Sequence, residues 1–273
     1  MDFNEKVKRN VASNFDQSIQ LYQAFENNHR FFGAYTLKLA EAIGLTEGAS
    51  VLDVGCGYGL SAQVLNERYG CRVLGVDLSP AMIAAGQSLQ KRGEIKLVEG
   101  DGEDLAPVVG DRQFDYVLYN AAIFIFPDAA RALDEAVRCL RPGGKVAFSY
   151  YPQLIDANDT DLFAVAFKRL GEPLPRFRVI TDYPVACTAL ADRCDEVRHH
   201  RWTQPLDIAF IQDFFSIPAQ SASLFPGRGY AERRDLARRL FATLADLEGD
   251  GRVVWRMAEG TKPTDCIAEP GGG

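Results

Sequence analysis

The chain has 273 residues, of which 47% are hydrophobic and 25% carry a charge. This length suits one α/β domain with an accessory helical part, and the composition is that of a protein with a full hydrophobic core. The net charge of −7 disfavours a duplex-binding protein, because such proteins gain much of their affinity by neutralising phosphates. We therefore expect a small-molecule substrate and no nucleic-acid partner.

The cysteines and the hydropathy pattern indicate in which cellular compartment the protein is located. The six cysteines include no pair at C-x-x-C spacing and no accompanying histidine pair, so we expect reduced, structural thiols and no metal site. Residues 1–10 are polar and lack a signal-peptide core, and no apolar run reaches the ~18 residues of a membrane span. We expect a cytoplasmic protein, and the sequence does not indicate its oligomeric state.

The first segment of the chain is predicted to be helical. Phe15, Ile19, Tyr22 and Phe25 recur at three- and four-residue steps, which places them on one face of a helix over residues 3–30. A second helix is predicted over 31–43, before Gly44. Residues 1–47 are therefore interpreted as an N-terminal helical cap.

From residue 50 onward, strand and helix patterns alternate. Such alternation implies crossover connections and a mainly parallel sheet. Short apolar runs predict strands at 50–54, 72–76, 95–99, 114–119 and 145–150. Helix patterns lie between them at 59–68, 80–91 and 128–140.

The C-terminal part of the chain has a looser pattern. Helices are predicted at 161–170 and 183–193, and extended segments at 196–202 and 252–257. If the two extended segments pair, residues 203–248 form one helical insertion at the end of the sheet, placed to cover a ligand as a lid.

These elements predict a doubly wound, Rossmann-like α/β fold with a mostly parallel, seven-stranded sheet. The division we expect is a helical cap, a core over 48–202, a lid insertion over 203–248, a last core strand within 249–262 and a flexible tail over 263–273.

The strongest chemical signal is the segment Val51-Leu-Asp-Val-Gly-Cys-Gly-Tyr-Gly59. An apolar strand leads into three alternating glycines and then a helix, which allows a tight turn and close approach of a ligand to the backbone. In open α/β sheets, ligands bind beyond the carboxyl ends of the strands. A glycine loop alone would be weak evidence.

Two acidic residues make the signal more specific. Asp53 lies two residues before Gly55, where a carboxylate would repel a pyrophosphate but suits a cationic amine. Asp77 ends the second strand, where an acid accepts hydrogen bonds from ribose hydroxyls. The implied ligand has a ribose, a positive group and no essential phosphate, as S-adenosylmethionine does.

Together with four later segments, the glycine motif resembles class I S-adenosylmethionine-dependent methyltransferases, and most closely the branch with ubiquinone/menaquinone-biosynthesis and other small-molecule enzymes. These segments are Val76–Met82, Glu99–Asp104, Phe114–Asn120 and Leu140–Val146. The similarity covers about residues 48–150, whereas the N-terminal helices and residues 151–273 match only loosely.

The resemblance implies a set of cofactor-binding residues. The glycines would form the turn beneath the methionine part, Asp53 would lie near its ammonium group and Asp77 would bind the ribose. Asp101 would accept from the adenine amine, and Asn120 would face the sulfonium. The full predicted set is Asp53, Gly55, Cys56, Gly57, Gly59, Asp77, Leu78, Met82, Asp101, Gly102, Glu103 and Asn120.

Within that set, Leu78 and Met82 would pack near the adenine, and Gly102 would supply a backbone contact. Structural alternatives stay open: Asp53 and Asp77 could cap helices, and Asp101 and Asn120 could be ordinary turn residues.

Three related enzyme classes fit the sequence less well. A dinucleotide-binding loop would have a small residue where this chain has Leu60. Methyltransferases that act on the exocyclic amines of flipped-out bases often have an Asn followed by Pro-Pro and an aromatic residue. Here Asn120 is followed by Ala-Ala-Ile-Phe. Metal-dependent catechol-type enzymes would need an acidic cluster near this strand end, which Asn120 and the distant Asp128 do not make.

The predicted activity is methyl transfer to an oxygen, nitrogen or carbon nucleophile of a small organic molecule, with no catalytic residue assigned. The alternatives are a non-catalytic S-adenosylmethionine-binding module and transfer of another group from a related adenosyl donor. An aromatic-lined pocket is predicted for the acceptor. Its candidate residues are Tyr22, Phe25, His29, Tyr150, Phe214 and Tyr230.

Overall fold

The computed structural model describes residues 3–90, 93–175, 179–247, 249 and 251–264. One sheet runs through this part of the chain, with helices on both of its faces. Its strands are β1 (Ser50–Val54), β2 (Arg72–Asp77), β3 (Ile95–Glu99), β4 (Phe114–Tyr119), β5 (Leu140–Ser149), β6 (Gln153–Ile155), β7 (Asp195–Pro205) and β8 (Arg252–Thr261).

The strand order is β3-β2-β1-β4-β5-β8-β6, and β7 also pairs with β8. The first five strands are parallel, and β8 is antiparallel to each of its partners β5, β6 and β7. The chain winds outward from β1 in both directions, so the order reverses between β1 and β4. This reversal is the switch point at which open α/β sheets bind ligands.

The Rossmann-like class and the mostly parallel sheet are confirmed, but the sheet has eight strands in the described part of the chain, where seven were expected. The short strand β6 was not predicted, because three residues give too little alternation to identify a strand. The fifth strand also begins at Leu140 instead of 145, since the Pro-Gly-Gly run is drawn into the ladder. There the N–H of Gly143 donates to the carbonyl of Lys262 at 3.1 Å.

The last two extended segments pair, which meets the condition stated above for a single insertion between them. Strands β7 and β8 pair from Asp195↔Thr261 to Pro205↔Arg252, so the chain between them leaves and returns at the same end of the sheet. Three helices lie in that interval.

The helices of the described part are α1 (Phe3–Asp16), α2 (Ile19–His29), α3 (Phe31–Ala42), α4 (Leu60–Tyr69), α5 (Pro80–Ala85), α6 (Ala106–Val109), α7 (Ala129–Cys139), α8 (Leu162–Leu170), α9 (Tyr183–Ala191), α10 (Ile208–Ser216), α11 (Pro218–Ser221) and α12 (Tyr230–Ala245). Short 3-10 turns occupy 87–89 and 123–125. Helix α6 was not predicted, and α5 ends before the expected residue 91, which lies outside the described residues. The predicted tail over 263–273 lies outside them from residue 265 onward.

The single helix expected over residues 3–30 is wrong, because α1 and α2 are separated at Gln17-Ser18. Ser18 is buried, its hydroxyl donates to the carbonyl of Asn14 at 2.5 Å, and it accepts from the N–H of Ala219 at 3.0 Å. The break is therefore fixed by a tertiary contact to α11, which the periodicity of the apolar residues does not reveal.

An aromatic cluster joins the N-terminal helices to β7, β8 and α10. Its members are Phe25, Phe31, Phe32, Tyr35, Trp202, Phe210, Phe214 and Trp255. Phe31 lies at its centre, with its ring centroid 4.5 Å from that of Trp255 and 5.1 Å from that of Phe210. Because these rings come from distant parts of the chain, the cluster holds the N-terminal helices on the sheet.

We expect Phe31→Ala to lower the free energy of unfolding by about 3–5 kcal/mol, because it leaves a cavity among rings that cannot fully close it. Phe3→Ala is the matched control: its side chain is 74% exposed, and its cost should stay below about 1 kcal/mol. Denaturant unfolding followed by circular dichroism measures both values. Equal costs for the two variants would contradict the structural role of the cluster.

Candidate functional site

The glycine bend after β1 forms one side of the site. Gly55 and Gly57 have φ of 75° and 54°, in the left-handed region that favours glycine. A Cβ at Gly55 would lie 2.6 Å from the Cβ of Ala122, so only glycine lets the two backbone segments come this close. The N–H groups of Gly55 and Cys56 both donate to the carbonyl of Val76, at 2.8 and 3.1 Å, which fixes the bend against the end of β2.

Asp77 ends β2 and fixes the bend from the other side. Its Oδ2 accepts from the N–H of Gly57 at 2.8 Å, and its Oδ1 accepts from the N–H of Ser79 at 2.9 Å. Burial raises the pKa of Asp77, and the two N–H donors oppose that rise without cancelling it. The carboxylate forms part of a cavity wall, where further lone pairs are available to a ligand hydroxyl.

Asp53 is a buried carboxyl group inside β1. It is 1% exposed, and among the described residues its Oδ2 has no hydrogen-bond partner. Burial and the negative charge of Asp77 raise the pKa of Asp53 to about 7. An unsatisfied buried carboxylate is costly unless a donor or a positive charge compensates it, so this position fits a bound cation.

Asp101 and Glu103 follow β3 and are held by Lys8 of α1. The Lys8 ammonium lies 2.6 Å from Asp101 Oδ2 and 2.6 Å from Glu103 Oε2. Burial acts to lower the pKa of Lys8, but its hydrogen bonds to the two carboxylates outweigh that effect, and the pKa is raised. Nothing in the sequence pattern distinguishes Lys8 from the other lysines, because its partners lie more than ninety residues away.

A second contact ties α1 to the site. The hydroxyl of Ser79, which caps α5 by accepting from the N–H of Met82 at 3.0 Å, donates to Asp16 Oδ1 at 2.5 Å. Helix α1 is thus fastened to the segments after β2 and β3 by Asp16 and Lys8. It closes the site from the side opposite the sheet.

Asn120 ends β4 within a network of side-chain hydrogen bonds. Its Nδ2 donates to Thr36 Oγ1 at 2.8 Å and to Ser61 Oγ at 3.1 Å, and its Oδ1 accepts from Ser149 Oγ at 2.6 Å. The network fixes the orientation of the amide. Asn120 also forms part of a cavity wall, so it lies both in the turn after β4 and at the candidate site.

Two small cavities lie on either side of Gly55 and Ala121, which line both. The first, which we call the β2–β3 cavity, includes Asp77, Leu78, Asp101 and Gly102 in its wall. The second, which we call the β1–β4 cavity, includes Cys56, Gly57, Met82, Asn120 and Tyr22. Most of the predicted cofactor set is therefore brought to one place.

Three members of the predicted set are not in these walls. Asp53 lies within β1, a Cβ at Gly59 would lie 2.7 Å from Leu97 Cδ1, and Glu103 is buried against Lys8 and accepts from the N–H of Asp128 at 2.7 Å. Glu103 and Gly59 therefore support the site from behind.

Cys56 is a buried, free thiol whose pKa is raised by burial.

The structure places the predicted acceptor residues in different regions, and only some of them lie near the cavities. Tyr22 borders the β1–β4 cavity, and its hydroxyl accepts from Gln220 Nε2 at 2.7 Å. Phe25 and Phe214 are buried in the aromatic cluster, and His29 pairs with Asp213 at 2.8 Å. None of these last three lines either cavity.

Tyr150 and Tyr230 also point elsewhere. Tyr150 is buried, its hydroxyl donates to the carbonyl of Thr181, and Arg256 lies over its ring at 5.3 Å. The hydroxyl of Tyr230 donates to the carbonyl of Ser216 at 2.9 Å. The structure therefore does not support Tyr150 or Tyr230 as a contact of the acceptor.

Phe15 was grouped with Tyr22 and Phe25 as a candidate wall of an apolar pocket but was not among the six acceptor candidates, and the structure places it at the cavities. It lines both cavities and also a larger third one, and its ring stacks on that of Tyr22 at 5.9 Å. The available signal was its place on the same helical face as Tyr22. That signal is ambiguous, because a core position gives the same spacing.

Comparisons with known proteins indicate the family of this chain. A family model described as a methyltransferase domain matches residues 52–148. The chain is 33% identical over 151 residues to aklanonic acid methyltransferase from a Streptomyces species (strain C5), covering 54% of this chain and 67% of that protein. It is 31% identical over 142 residues to demethylmenaquinone methyltransferase of Staphylococcus carnosus, covering 51% and 56%.

A solved structure of the [4+2]-cyclase SpnF shares the fold. It aligns with a TM-score of 0.62 and 18% identity over 94% of this chain and 97% of that one. At this identity the likeness concerns the fold alone. The chain spans between about half and two thirds of the length of the two sequence relatives. No helix in the described part of the chain is long and apolar enough to cross a bilayer.

The raised pKa of Asp53 predicts a pH-dependent stability. A carboxyl that keeps its proton in the folded state, and loses it near pH 3.9 when unfolded, makes the fold less stable as pH rises toward 7. In ligand-free protein, we expect the free energy of unfolding to fall by about 2–3 kcal/mol between pH 5 and pH 8 relative to Asp53→Asn.

Urea unfolding of both proteins at several pH values measures that difference. The comparison with Asp53→Asn removes the contribution of the other titrating groups, which the two proteins share. Parallel stability curves for the two proteins would show that Asp53 ionises normally.

Proposed function

Because this chain belongs to the class I S-adenosylmethionine-dependent methyltransferases, we propose that it transfers a methyl group from S-adenosylmethionine to an oxygen, nitrogen or carbon nucleophile of a small organic molecule. The observation that carries the proposal is the glycine bend held by Asp77 at the switch point, with the unsatisfied carboxyl of Asp53 behind it. A ribose and a cationic amine are the two groups these carboxyls suit.

The residues present fit the methyl donor. The β2–β3 cavity would hold the adenosine part, with the ribose hydroxyls donating to Asp77 and the adenine beside Leu78 and Gly102. The β1–β4 cavity would hold the methionine part against Gly57 and Cys56. The donor's ammonium would compensate Asp53, directly or through water, which removes the cost of that buried charge.

The proposed contact of Asp101 with the adenine amine has a competitor. Lys8 already holds Asp101 Oδ2, and Asp101 Oδ1 accepts from the N–H of Glu103 at 2.9 Å. An adenine amine must share one of these oxygens or displace the lysine. Donor binding is therefore coupled to the position of α1.

When bound, S-adenosylmethionine supplies the methyl group: its S–CH₃ bond breaks as the bond to the acceptor forms, the electron pair stays on sulfur, and any acceptor proton is released. The chain's own contribution is alignment and exclusion of water. Helix α1 shields the two cavities, and the Asn120 network fixes the wall where β4 ends. Burial raises the pKa of Tyr22, and we assign no base.

We also propose that the helices of the 203–248 segment act with α1 as a cover over the site. Helix α11 packs against α1, and Gln220 of α11 reaches the β1–β4 cavity. The N-terminal cap over 1–47 and this insertion would then enclose the reacting groups together.

Methyl-labelled S-adenosylmethionine, incubated with the protein and a small-molecule extract, tests the activity. We expect label in an organic product and an equal amount of S-adenosylhomocysteine. A donor-binding module would bind S-adenosylhomocysteine in calorimetry but transfer no label. That outcome would overturn the enzymatic proposal and leave the binding site intact.

We expect Asp77→Ala to weaken donor binding by about 1–3 kcal/mol, because it removes an acceptor of ribose hydrogen bonds and the anchor of the glycine bend. The matched control is Asp111→Ala, which removes an exposed carboxyl in a turn. Calorimetry with S-adenosylhomocysteine measures the change, and circular dichroism checks the fold. An unchanged affinity in folded Asp77→Ala protein would refute the ribose assignment.

A further inference from the structure

A third and larger cavity lies between α1, the 3-10 turn after β4, and α11. Its volume is about 540 Å³, within the roughly 300–1,000 Å³ of small-molecule sites. Val7 and Phe15 form its wall on the α1 side, Ile125 lies on the opposite side, and Ala222 and Ser223 close it near α11. We call it the α1–α11 cavity.

The α1–α11 cavity adjoins both parts of the donor site. Phe15 lines all three cavities, and Ile125 is shared with the β2–β3 cavity. Gln220 is shared with the β1–β4 cavity. A molecule in the third cavity therefore sits one side chain away from a donor in the other two, which is the position that an acceptor requires.

The polar groups of its wall are neutral. None of the described residues that line the α1–α11 cavity carries a charge, and its polar side chains are amides and hydroxyls. The hydroxyls of Tyr151 and Ser223 lie 3.2 Å apart, and Asn14 donates to the carbonyl of Asn10 at 3.0 Å. Among the described residues of the wall, a carboxylate, phosphate or ammonium would meet no counter-charge, so burying it there is costly, whereas a hydroxyl or carbonyl finds partners.

The rim of the cavity is apolar as well. Phe3 and Ile180 line it and are 74% and 43% exposed, among the few large apolar side chains so exposed in the described part of the chain. Exposed apolar side chains around a concave site are typical of an opening for an apolar ligand.

We propose that the α1–α11 cavity is the acceptor pocket and that the acceptor is an uncharged, mainly apolar ring compound with a hydroxyl group. This inference rests on the proposed methyl transfer and adds the chemical class of the acceptor. It excludes acceptors whose reacting end carries a phosphate, a carboxylate or an ammonium group.

The test uses three probes of one shape: 2-naphthol, which is uncharged at pH 7, 2-naphthoate and 2-naphthylmethylammonium. Binding is measured by calorimetry in the presence of saturating S-adenosylhomocysteine, so that the donor site is filled. We expect 2-naphthol to bind at least tenfold more tightly than either charged probe.

Ala222→Phe places a ring in the cavity without touching the donor site, because Ala222 lines only the third cavity. We expect this variant to bind 2-naphthol at least tenfold more weakly than the parent protein does. Its affinity for S-adenosylhomocysteine should equal that of the parent protein. The control is Ala231→Phe, the same change at an exposed position of α12, which should bind both as the parent does.

The outcomes separate the two proposals. No binding of S-adenosylhomocysteine to the parent protein would overturn the proposed function. Three results would overturn the acceptor pocket alone, provided that S-adenosylhomocysteine binds normally. They are no binding of 2-naphthol, equally tight binding of a charged probe, and 2-naphthol binding that Ala222→Phe does not change.

Discussion

The carboxylate of Asp77 is the constraint on which the site depends. By accepting from Gly57 and Ser79, it holds the glycine bend and the start of α5 in fixed positions relative to β2. The bend can lie this close only because Gly55 has no side chain to meet Ala122. The parallel part of the sheet, with one acid at a strand end, thus creates a rigid recess, and Asp53 places behind it a buried carboxyl group that a bound cation would stabilise in its ionised form. Such preorganisation lets the protein bind a cationic nucleoside without rearranging its core.

Helix α1 contributes as much to the site as the sheet does. Its Lys8 is held between Asp101 and Glu103, its Asp16 accepts from Ser79, and its Phe15 separates the three cavities. Such contacts make α1 a shared wall of the three cavities. A ligand that displaces Lys8 from Asp101 therefore acts on the same element that borders the proposed acceptor pocket.

The aromatic cluster explains how a helical cap of this kind stays attached to the sheet. Phe31 packs on Trp255 of β8 and on Phe210 of the inserted helices, so the cap and the insertion share one hydrophobic core. Several predicted acceptor residues, such as Phe25 and Phe214, belong to this cluster. Their aromatic character reflects stability at this interface, whereas the α1 residues Val7 and Phe15 line the α1–α11 cavity.

The sequence by itself determined the parallel core, the strands β1, β3 and β4 to the residue, and the gathering of Asp77, Asp101 and Asn120 at one sheet edge. Local patterning suffices there, because parallel strands point their carboxyl ends the same way. Tertiary structure alone decided the break at Ser18, the pairing of Lys8 and the α1–α11 cavity. Each joins segments far apart in the chain, and neither helical periodicity nor residue type encodes which distant partner a side chain will meet.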